Sequence, residues 1–290
     1  MNFIYHLLNG IHVGSIYALV ALGYSMVYGI VKLINFAHGD IIMVGAYVSW
    51  FIIAAKGLPV WVGVLSAVAF CMLLGMTIEK VAYKPLRKSA RISLLITAIG
   101  ISLLLQNLAQ KVFTSTPKTY PSFLTGGVML GGRQISTTTF VTIGVSVLLM
   151  VALTLFVSKT RMGKAMRAVS EDTQAAQLMG ININNTISVT FAIGSGLAAV
   201  AAVLYCCSYP QVSPTMGSML GLRAFVAAVL GGIGSIPGAA IGGLVIGIAE
   251  ALTKGYISSS LADAIVFGIL IITLLFKPTG IFGHTAAEKV

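Results

Sequence analysis

Residues 219–252 read MLGLRAFVAAVLGGIGSIPGAAIGGLVIGIAEAL, a stretch that is apolar almost throughout but is interrupted at its centre. The interruption is made by Gly231, Gly232, Gly234, Pro237 and Gly238. A straight helix does not carry such a cluster, because glycine weakens a helix and proline removes one of its hydrogen bonds. We therefore predict two half-length or short helices that meet at a Gly-Pro break, where protein or a wet cavity satisfies the freed backbone groups.

Composition places the chain in a membrane. Of its 290 residues, 57% are hydrophobic and only 9% are charged, and the mean hydropathy is +0.98. A soluble domain with a charged surface does not reach these values. The 18 basic residues outnumber the 7 acidic ones. They concentrate in loops without an accompanying aromatic and basic surface, so we expect positive-inside topology and no nucleic-acid partner.

The apolar runs predict an all-α polytopic membrane protein with about eight transmembrane helices, plus broken or re-entrant helices. Besides residues 219–252, the runs are residues 3–31, 41–55, 60–78, 92–109, 139–157, 183–207 and 261–276. These seven runs make eight spans together with residues 219–252 if that stretch gives one crossing and a re-entrant piece. They make nine spans if both halves of 219–252 cross. The run 41–55 is short for a full crossing, and the N-terminus lies outside only if that run crosses.

Two short basic segments predict which side of the membrane the loops face. Residues 80–91 read KVAYKPLRKSAR, and residues 159–180 read KTRMGKAMRAVSEDTQAAQLMG. Two predicted spans separate them, so both segments can lie in the cytoplasm, as positively charged loops do. Residues 111–138, rich in Thr, Ser, Gly and Pro, then form an external loop. No basic residue precedes Lys32 and no small-residue cleavage site follows a short apolar core, so the first run is predicted to be a retained span.

The segment 159–180 combines a basic lead-in with a predicted short helix of about two turns. Ser170 can cap this helix, Glu171 and Asp172 fall in its first turn, and Gly180 stands where a left-handed residue ends a helix. Ala175, Ala176 and Met179 are spaced to form one stripe. Such a capped, flat-faced helix can press against a partner, and an ordinary solvated loop is the alternative interpretation.

Motifs of nucleotide binding, hydrolysis and metal binding are missing from the sequence. Gly163-Lys164 is followed by Ala165, so there is no Walker loop, and neither G-x-S-x-G nor H-E-x-x-H occurs. The histidines His6, His12, His38 and His284 are scattered, and Cys71, Cys206 and Cys207 lack ligand spacing. We expect no enzyme activity and no cofactor bound by this chain.

Two interrupted segments suggest a route across the membrane. Residues 29–47 read GIVKLINFAHGDIIMVGAY and residues 225–243 read FVAAVLGGIGSIPGAAIGG, each with a helix interruption between apolar arms. Interrupted helices at corresponding positions of two halves indicate a transport path. The path residues predicted in this way are Asn35, His38, Gly39, Asp40, Gly231, Gly232, Gly234 and Pro237. We expect Asn35, His38 and Asp40 to lie near the cytoplasmic end of the route. The alternative is that these polar side chains only satisfy backbone groups at a helix break.

Charged residues inside the predicted spans are few. The main candidates are Arg223, Glu250 and Asp263. We expect the two acids to anchor span ends at the membrane interface and Arg223 to extend to the outer surface, while pairing of Arg223 with a carboxylate near the path is the alternative. An ion-driven carrier usually needs buried carboxylates, so this composition disfavours ion coupling.

Three segments together resemble one known family. They are INFAHGDIIMVGAY at 34–47, TRMGKAMRAVSEDTQAAQLMGI at 160–181 and LRAFVAAVLGGIGSIPGAAIGG at 222–243. In this order they resemble the permease subunits of bacterial branched-chain amino acid ABC importers, of the LivH type, and the similarity covers essentially the whole chain. The resemblance implies a multi-pass protein of the bacterial inner membrane, with 1–290 as a single transmembrane permease domain that carries Leu, Ile and Val into the cytoplasm.

The resemblance also implies partners. They are a second related permease, two cytoplasmic ATPase subunits that hold ATP and Mg, a periplasmic amino-acid-binding protein and the lipid bilayer. In that family the segment matching 159–180 is the cytoplasmic coupling segment, which docks on an ATPase. The coupling residues implied are Arg161, Gly163, Arg167, Glu171, Asp172, Ala175, Ala176, Met179 and Gly180. The helix start Ser170-Glu171-Asp172-Thr173 departs from the Asp or Asn-Arg-Glu pattern expected there, which bears on the choice of ATPase.

Two other functions stay open at the level of sequence. An ABC permease for short amides or urea, a sugar or a nucleoside would share this architecture, because the binding protein largely sets the substrate. An ion-coupled secondary carrier would move its substrate without ATP.

Overall fold

The computed structural model describes residues 2–32, 34–87, 89–124, 126–130 and 133–283. The helices described are α1 (Asn2–Val31), α2 (His38–Trp50), α3 (Val60–Ile78), α4 (Lys84–Leu86), α5 (Arg91–Phe113), α6 (Thr137–Lys159), α7 (Arg161–Glu171), α8 (Thr173–Leu178), α9 (Ile183–Ser208), α10 (Met216–Gly231), α11 (Ile236–Tyr256) and α12 (Ala262–Phe276). Helix α2 continues through a π-helical turn at Phe51–Ala55, and α3 continues through another at Glu79–Tyr83.

Eight helical segments of the described chain are long and apolar enough to cross a membrane. They are Phe3–Val31, His38–Ala55, Val60–Leu86, Ile92–Phe113, Thr137–Lys159, Ile183–Ser208, Ile236–Tyr256 and Ser259–Phe276. Helix α10 is shorter, with 16 residues. The chain is therefore a helical, multi-pass membrane protein, as its apolar runs predicted.

The second span is longer than its apolar run indicated. Helix α2 starts at His38 instead of Ile41 and ends after the π-helical turn at Ala55, which gives 18 residues. Its first turn contains Asp40, a residue that a hydropathy pattern assigns to a loop. The prediction that this run is short for a crossing was wrong for that reason.

Two pairs of short strands form within the loops. Strand β1 (Lys118–Thr119) pairs antiparallel with β4 (Gln211–Val212), and β2 (Gly127–Leu130) pairs antiparallel with β3 (Arg133–Ser136). The first pair ties the segment 111–138 to the turn after α9. Tyr120 follows β1, and its hydroxyl donates to Ser49 Oγ at 3.1 Å. Burial raises the pKa of the Tyr120 hydroxyl well above its usual value, so the group remains a donor.

Helix α1 forms the centre of the bundle together with α9. About 83% of each of these two spans is buried inside the protein, against 17% of the spans of α5, α6 and α12, which lie at the perimeter. Small residues allow α1 and α11 to cross closely: a Cβ at Gly10 would lie 2.7 Å from Ile248 Cα, and one at Gly14 would lie 2.9 Å from the carbonyl oxygen of Gly243. Membrane helices pack through such small residues because lipid supplies no hydrophobic drive between them.

The Gly-Pro break lies where the sequence predicted it. Helix α10 ends at Gly231 and α11 begins at Ile236, and Gly232 and Gly234 between them have positive φ angles of 104° and 97°. Ser235 Oγ accepts from the backbone N–H of Gly238 at 3.2 Å and so caps α11. Only α10 is short, however, because α11 has 21 residues and is long enough to cross.

The turn between α10 and α11 is closed by the segment that follows α12. The N–H groups of Ile281 and Phe282 donate to the carbonyls of Leu230 and Gly231 at 2.9 and 3.0 Å. Backbone groups freed by the break are thus bonded to protein.

Helices α2 and α10 start next to each other inside the bundle. A Cβ at Gly39 would meet the carbonyl carbon of Gly217 at 3.2 Å, and one at Gly221 would meet Gly39 Cα at 2.8 Å. The His38 ring lies 4.7 Å from that of Tyr24, which is seven residues before the end of α1. At a rise of about 1.5 Å per residue, α2 therefore begins roughly 10 Å inward from the end of α1.

Candidate functional site

The coupling segment, residues 159–180, is two helices instead of a lead-in and one helix. Helix α7 begins after Thr160, whose Oγ1 accepts from the N–H of Gly163 at 3.0 Å. Its residues Gly163, Met166 and Val169 recur every third position and are buried against neighbouring helices. The prediction of a basic lead-in followed by one short helix missed α7, whose basic residues occupy the solvent face of an amphipathic helix.

Asp172 caps the second helix, α8. Its Oδ1 accepts from the N–H groups of Gln174 and Ala175 at 2.9 and 3.0 Å. Ser170, the predicted cap, lies in α7 and donates to the carbonyl of Arg167 at 2.7 Å. Glu171 ends α7 instead of entering the first turn of α8. Both Ser and Asp are favourable caps, so local propensity alone did not decide between them.

The predicted stripe on α8 is split between the interior and the surface. Ala176 is buried, whereas Ala175 is exposed and Met179 is 82% exposed. Leu178 is 88% exposed, the largest exposed fraction among the large apolar side chains of the described chain. Leu178 was not among the predicted coupling residues, although an apolar residue at the end of a polar segment is a visible signal. Gly180 has a φ of 81°, as predicted.

The structure separates the predicted coupling residues into two groups. Those on the surface are Arg161, Arg167, Glu171, Ala175, Met179 and Gly180, and those that pack or cap are Gly163, Asp172 and Ala176. A Cβ at Gly163 would clash with the carbonyl oxygens of Phe156 and Val157, so this glycine lets α7 fold back on α6. Arg167 Nη2 donates to the carbonyl of Ser158 at 3.0 Å.

A buried ion pair connects the basic segment 80–91 to α9, the helix that follows the coupling segment. Glu79, at the end of α3, is fully buried and pairs with Arg87. Ser188 of α9 donates to Glu79 Oε2 at 2.5 Å, and Arg87 Nη1 donates to Asn184 Oδ1 at 2.8 Å. The two basic segments therefore lie at the same end of the bundle, which we call the basic end. We call Glu79, Arg87, Asn184 and Ser188 the α3–α9 clamp.

A cleft of about 320 Å³ opens between α1, α2, α5 and α10. It is lined by Tyr24, Phe36, Gly39, Asp40, Leu95, Ile99, Ser102, Leu103, Ser218, Gly221, Leu222 and Phe225. Asp40 is 2% exposed and accepts from Gln106 Nε2 at 2.9 Å. An apolar cavity with a few polar groups at one end is the usual form of a small-molecule site.

Only Gly39 and Asp40 of the predicted path residues line this cleft. Asn35 Oδ1 accepts from Tyr83 at 2.9 Å and from the N–H of Ala37 at 3.1 Å, so it stabilises the break before α2. The ring of His38 packs on Tyr24. Their place on a route across the membrane stays a prediction.

The second group of predicted path residues lies at the basic end, away from the cleft. Gly231, Gly232, Gly234 and Pro237 form the turn between α10 and α11 or its flanks. Gly234 and Ile236 share a small cavity with Met166 and Arg167 of α7. This turn is therefore a neighbour of the coupling segment.

The charged residues of the last helices form a network. Arg223 pairs with Glu250 at 3.0 Å and with Asp263 at 2.7 Å, and Lys254 pairs with Glu250 at 2.5 Å. Tyr17 donates to the Glu250 carboxylate at 2.5 Å. The expectation that Arg223 extends to the outer surface was wrong, and the alternative, pairing with a carboxylate, is observed. Glu250, 2% exposed, does not anchor the chain at an interface.

A protein-family model described as "Branched-chain amino acid transport system / permease component" matches residues 6–275. The high-affinity branched-chain amino acid transport system permease protein LivH of Salmonella typhimurium is 46% identical over 303 residues, which cover 100% of this chain and 98% of the relative. The corresponding permease protein BraD of Pseudomonas aeruginosa is 45% identical over 302 residues, with coverage of 100% and 98%.

One solved structure has a similar fold. PsaBC from Streptococcus pneumoniae in complex with Fab matches with a TM-score of 0.50 at 17% identity, over 93% of this chain and 91% of that chain. At this identity the likeness concerns the fold alone.

Proposed function

Since this chain belongs to the family of permease components of branched-chain amino acid transport systems, we propose that it is the membrane permease subunit of an ABC importer. In this proposal it carries leucine, isoleucine and valine across the bacterial inner membrane into the cytoplasm. The observation that carries the proposal is the 46% identity with the Salmonella typhimurium permease over the full length of both chains.

The proposed transporter contains a second related permease, two ATPase subunits and a periplasmic amino-acid-binding protein. ATP and Mg bind the ATPase subunits, and this chain contributes neither a catalytic site nor a cofactor site. Two features support this division: the sequence lacks a Walker loop, and α7 and α8 present a partly apolar surface at the basic end.

The proposed orientation has the basic end in the cytoplasm, as positively charged loops require. Because His38–Ala55 is long enough to cross, α1 then starts on the periplasmic side. The same orientation places the β1–β4 pair in the periplasm, where the binding protein delivers its cargo.

The coupling segment transmits the motion of the ATPases in this mechanism. Helix α8 lies in an ATPase groove, with Leu178 and Met179 as its anchors. Helix α7 contacts α1, α6 and α9, so a displacement of the segment moves these helices together. ATP binding closes the ATPases and thereby shifts the paired permeases between inward-open and outward-open states.

The test of this function is ATP-dependent uptake in proteoliposomes that contain the complete transporter. We expect radiolabelled leucine to accumulate only with ATP and the loaded binding protein, and unlabelled isoleucine and valine to compete. Uptake that follows an ion gradient without ATP would contradict the proposal. Competition by urea, a sugar or a nucleoside in place of leucine would assign another substrate to the same architecture.

The α3–α9 clamp gives a first prediction. We expect Glu79→Gln to lower leucine uptake by roughly tenfold, which corresponds to a change of about 1.4 kcal/mol in the activation free energy. Arg87 loses its buried counter-charge in this variant, so a movement of α9 is no longer transmitted to α3. The ATPase subunits should still co-purify, since no member of the clamp belongs to α8.

The exposed Lys80, next to Glu79, offers a matched control: Lys80→Gln should leave uptake within about twofold. Equal uptake in the Glu79→Gln and wild-type complexes would show that the clamp does not take part in coupling.

A further inference from the structure

Asp40 is a buried carboxylate that forms no ion pair within the part of the chain that the structure describes. Its side chain lies in the first turn of α2 and accepts from the neutral amide of Gln106 at 2.9 Å. The ion pairs found in the described chain involve Glu79, Glu250 and Asp263, and none includes Asp40. Charge buried at membrane depth is costly and usually pairs with another charge or serves a ligand.

The surroundings of Asp40 tolerate a negative charge but do not neutralise it. The starts of α2 and α10 meet here, and the positive ends of helix dipoles favour an anion. The amide of Gln106 also donates to Ser102 Oγ and Ser218 Oγ, both at 3.2 Å, so its hydrogen bond to Asp40 is shared. The ring of His38, two residues before Asp40, packs edge-on against Tyr24.

The cleft in front of Asp40 is polar at one end and apolar elsewhere. Asp40 and Ser218 lie at the polar end, and Ile99, Leu103 and Leu222 form an apolar wall. A volume of about 320 Å³ lies at the lower end of the range of small-molecule sites. One buried carboxylate beside an aliphatic wall matches a cationic amine that carries an aliphatic side chain.

We propose that Asp40 binds the α-ammonium group of the permeating amino acid, whose aliphatic side chain packs on Ile99, Leu103 and Leu222. The ammonium group supplies the missing counter-charge, and the carboxylate of the amino acid faces Ser218 and the start of α10, which no side chain caps. This inference rests on the proposed function, since it takes an amino acid as the substrate. It assigns to the permease a selection step beyond that of the binding protein, because neutral solutes leave Asp40 unpaired.

The experiment compares wild-type, Asp40→Asn and Asp40→Glu permeases in the complete reconstituted transporter. For Asp40→Asn we expect the maximal rate of leucine uptake to fall by at least about tenfold, as happens when one partner of a buried charge pair is removed. The concentration of loaded binding protein that gives half of the maximal rate should stay unchanged, as should co-purification of the ATPases. Asp40→Glu keeps the charge and should recover a measurable part of the uptake.

The outcomes separate this inference from the proposed function. Absence of leucine uptake by the wild-type transporter would overturn the function itself. Leucine uptake by the wild type that is matched by Asp40→Asn would overturn only the role of Asp40. A loss of uptake that Asp40→Glu does not relieve, together with loss of ATPase co-purification, would assign Asp40 to the packing of α2 and also overturn the inference.

Discussion

The double substitution Leu178→Asp, Met179→Asp is expected to reduce ATP-dependent uptake to background. These two side chains are 88% and 82% exposed in the free chain, at the end of a helix that Asp172 caps and Ala176 holds against the protein. Burying a large apolar side chain stabilises an interface by about 1.5–3 kcal/mol. The substitution removes this contribution twice and places two carboxylates in the contact, so the ATPase should no longer bind.

The measurement is co-purification of the ATPase subunits with the permease, together with leucine uptake in proteoliposomes. Gln174→Glu changes an exposed residue in the first turn of the same helix, where an acid is favourable, and should leave both readouts unchanged. Retention of the ATPase by the double variant would contradict the assignment of α8 as the docking helix. Both variants should insert into the membrane as the wild type does, because α8 contributes no span.

Replacing Arg223 by leucine is expected to lower the free energy of unfolding by about 3 kcal/mol. Arg223 joins α10 to Glu250 of α11 and to Asp263 of α12, and it also donates to Tyr17 of α1 at 3.2 Å. Its removal leaves the carboxylate of Glu250, which is 2% exposed, with Lys254 and Tyr17 only. The free energy can be measured by SDS titration of the purified protein in mixed micelles.

A matched control removes the other cation of the same carboxylate. Lys254→Met breaks a pair whose cation is 38% exposed, so we expect a loss below about 1 kcal/mol. Adding Glu250→Gln to Arg223→Leu removes the uncompensated charge and should recover part of the lost stability. If Arg223→Leu unfolds at the same SDS fraction as the wild type, the network does not stabilise the bundle.

Local sequence patterns predicted only some features of the coupling segment. The left-handed Gly180 was predicted correctly, because a glycine after a short helix is a local signal. The start of α8 was placed at Ser170 instead of Asp172, because several capping residues stand close together and only the packing of α7 on α6 selects one. The exposure of Leu178 depends on which face of α8 packs on the protein, and the predicted stripe did not include it.

For the predicted path residues, sequence located the helix breaks but not their surroundings. Sequence placed two interrupted segments correctly, and their place on one route stays a prediction. In the structure Asp40 faces a cleft inside the bundle, whereas Gly232 and Gly234 lie in a turn near α7. Two breaks of similar composition thus have different surroundings, and composition carries no information about what packs around a break.

By itself the sequence determined that this chain crosses a membrane many times, that its basic segments share one side, and that two helices meet near residue 232. Each of these properties depends on the length of an apolar run, on charge, or on glycine and proline, and all of them act within a few residues. Only the tertiary structure decided that Arg223 meets Glu250 and Asp263, that Glu79 meets Ser188, and that Asp40 pairs with no cation of the described residues. Such pairs depend on the rotation and height of one helix relative to another, which the packing of the whole bundle sets.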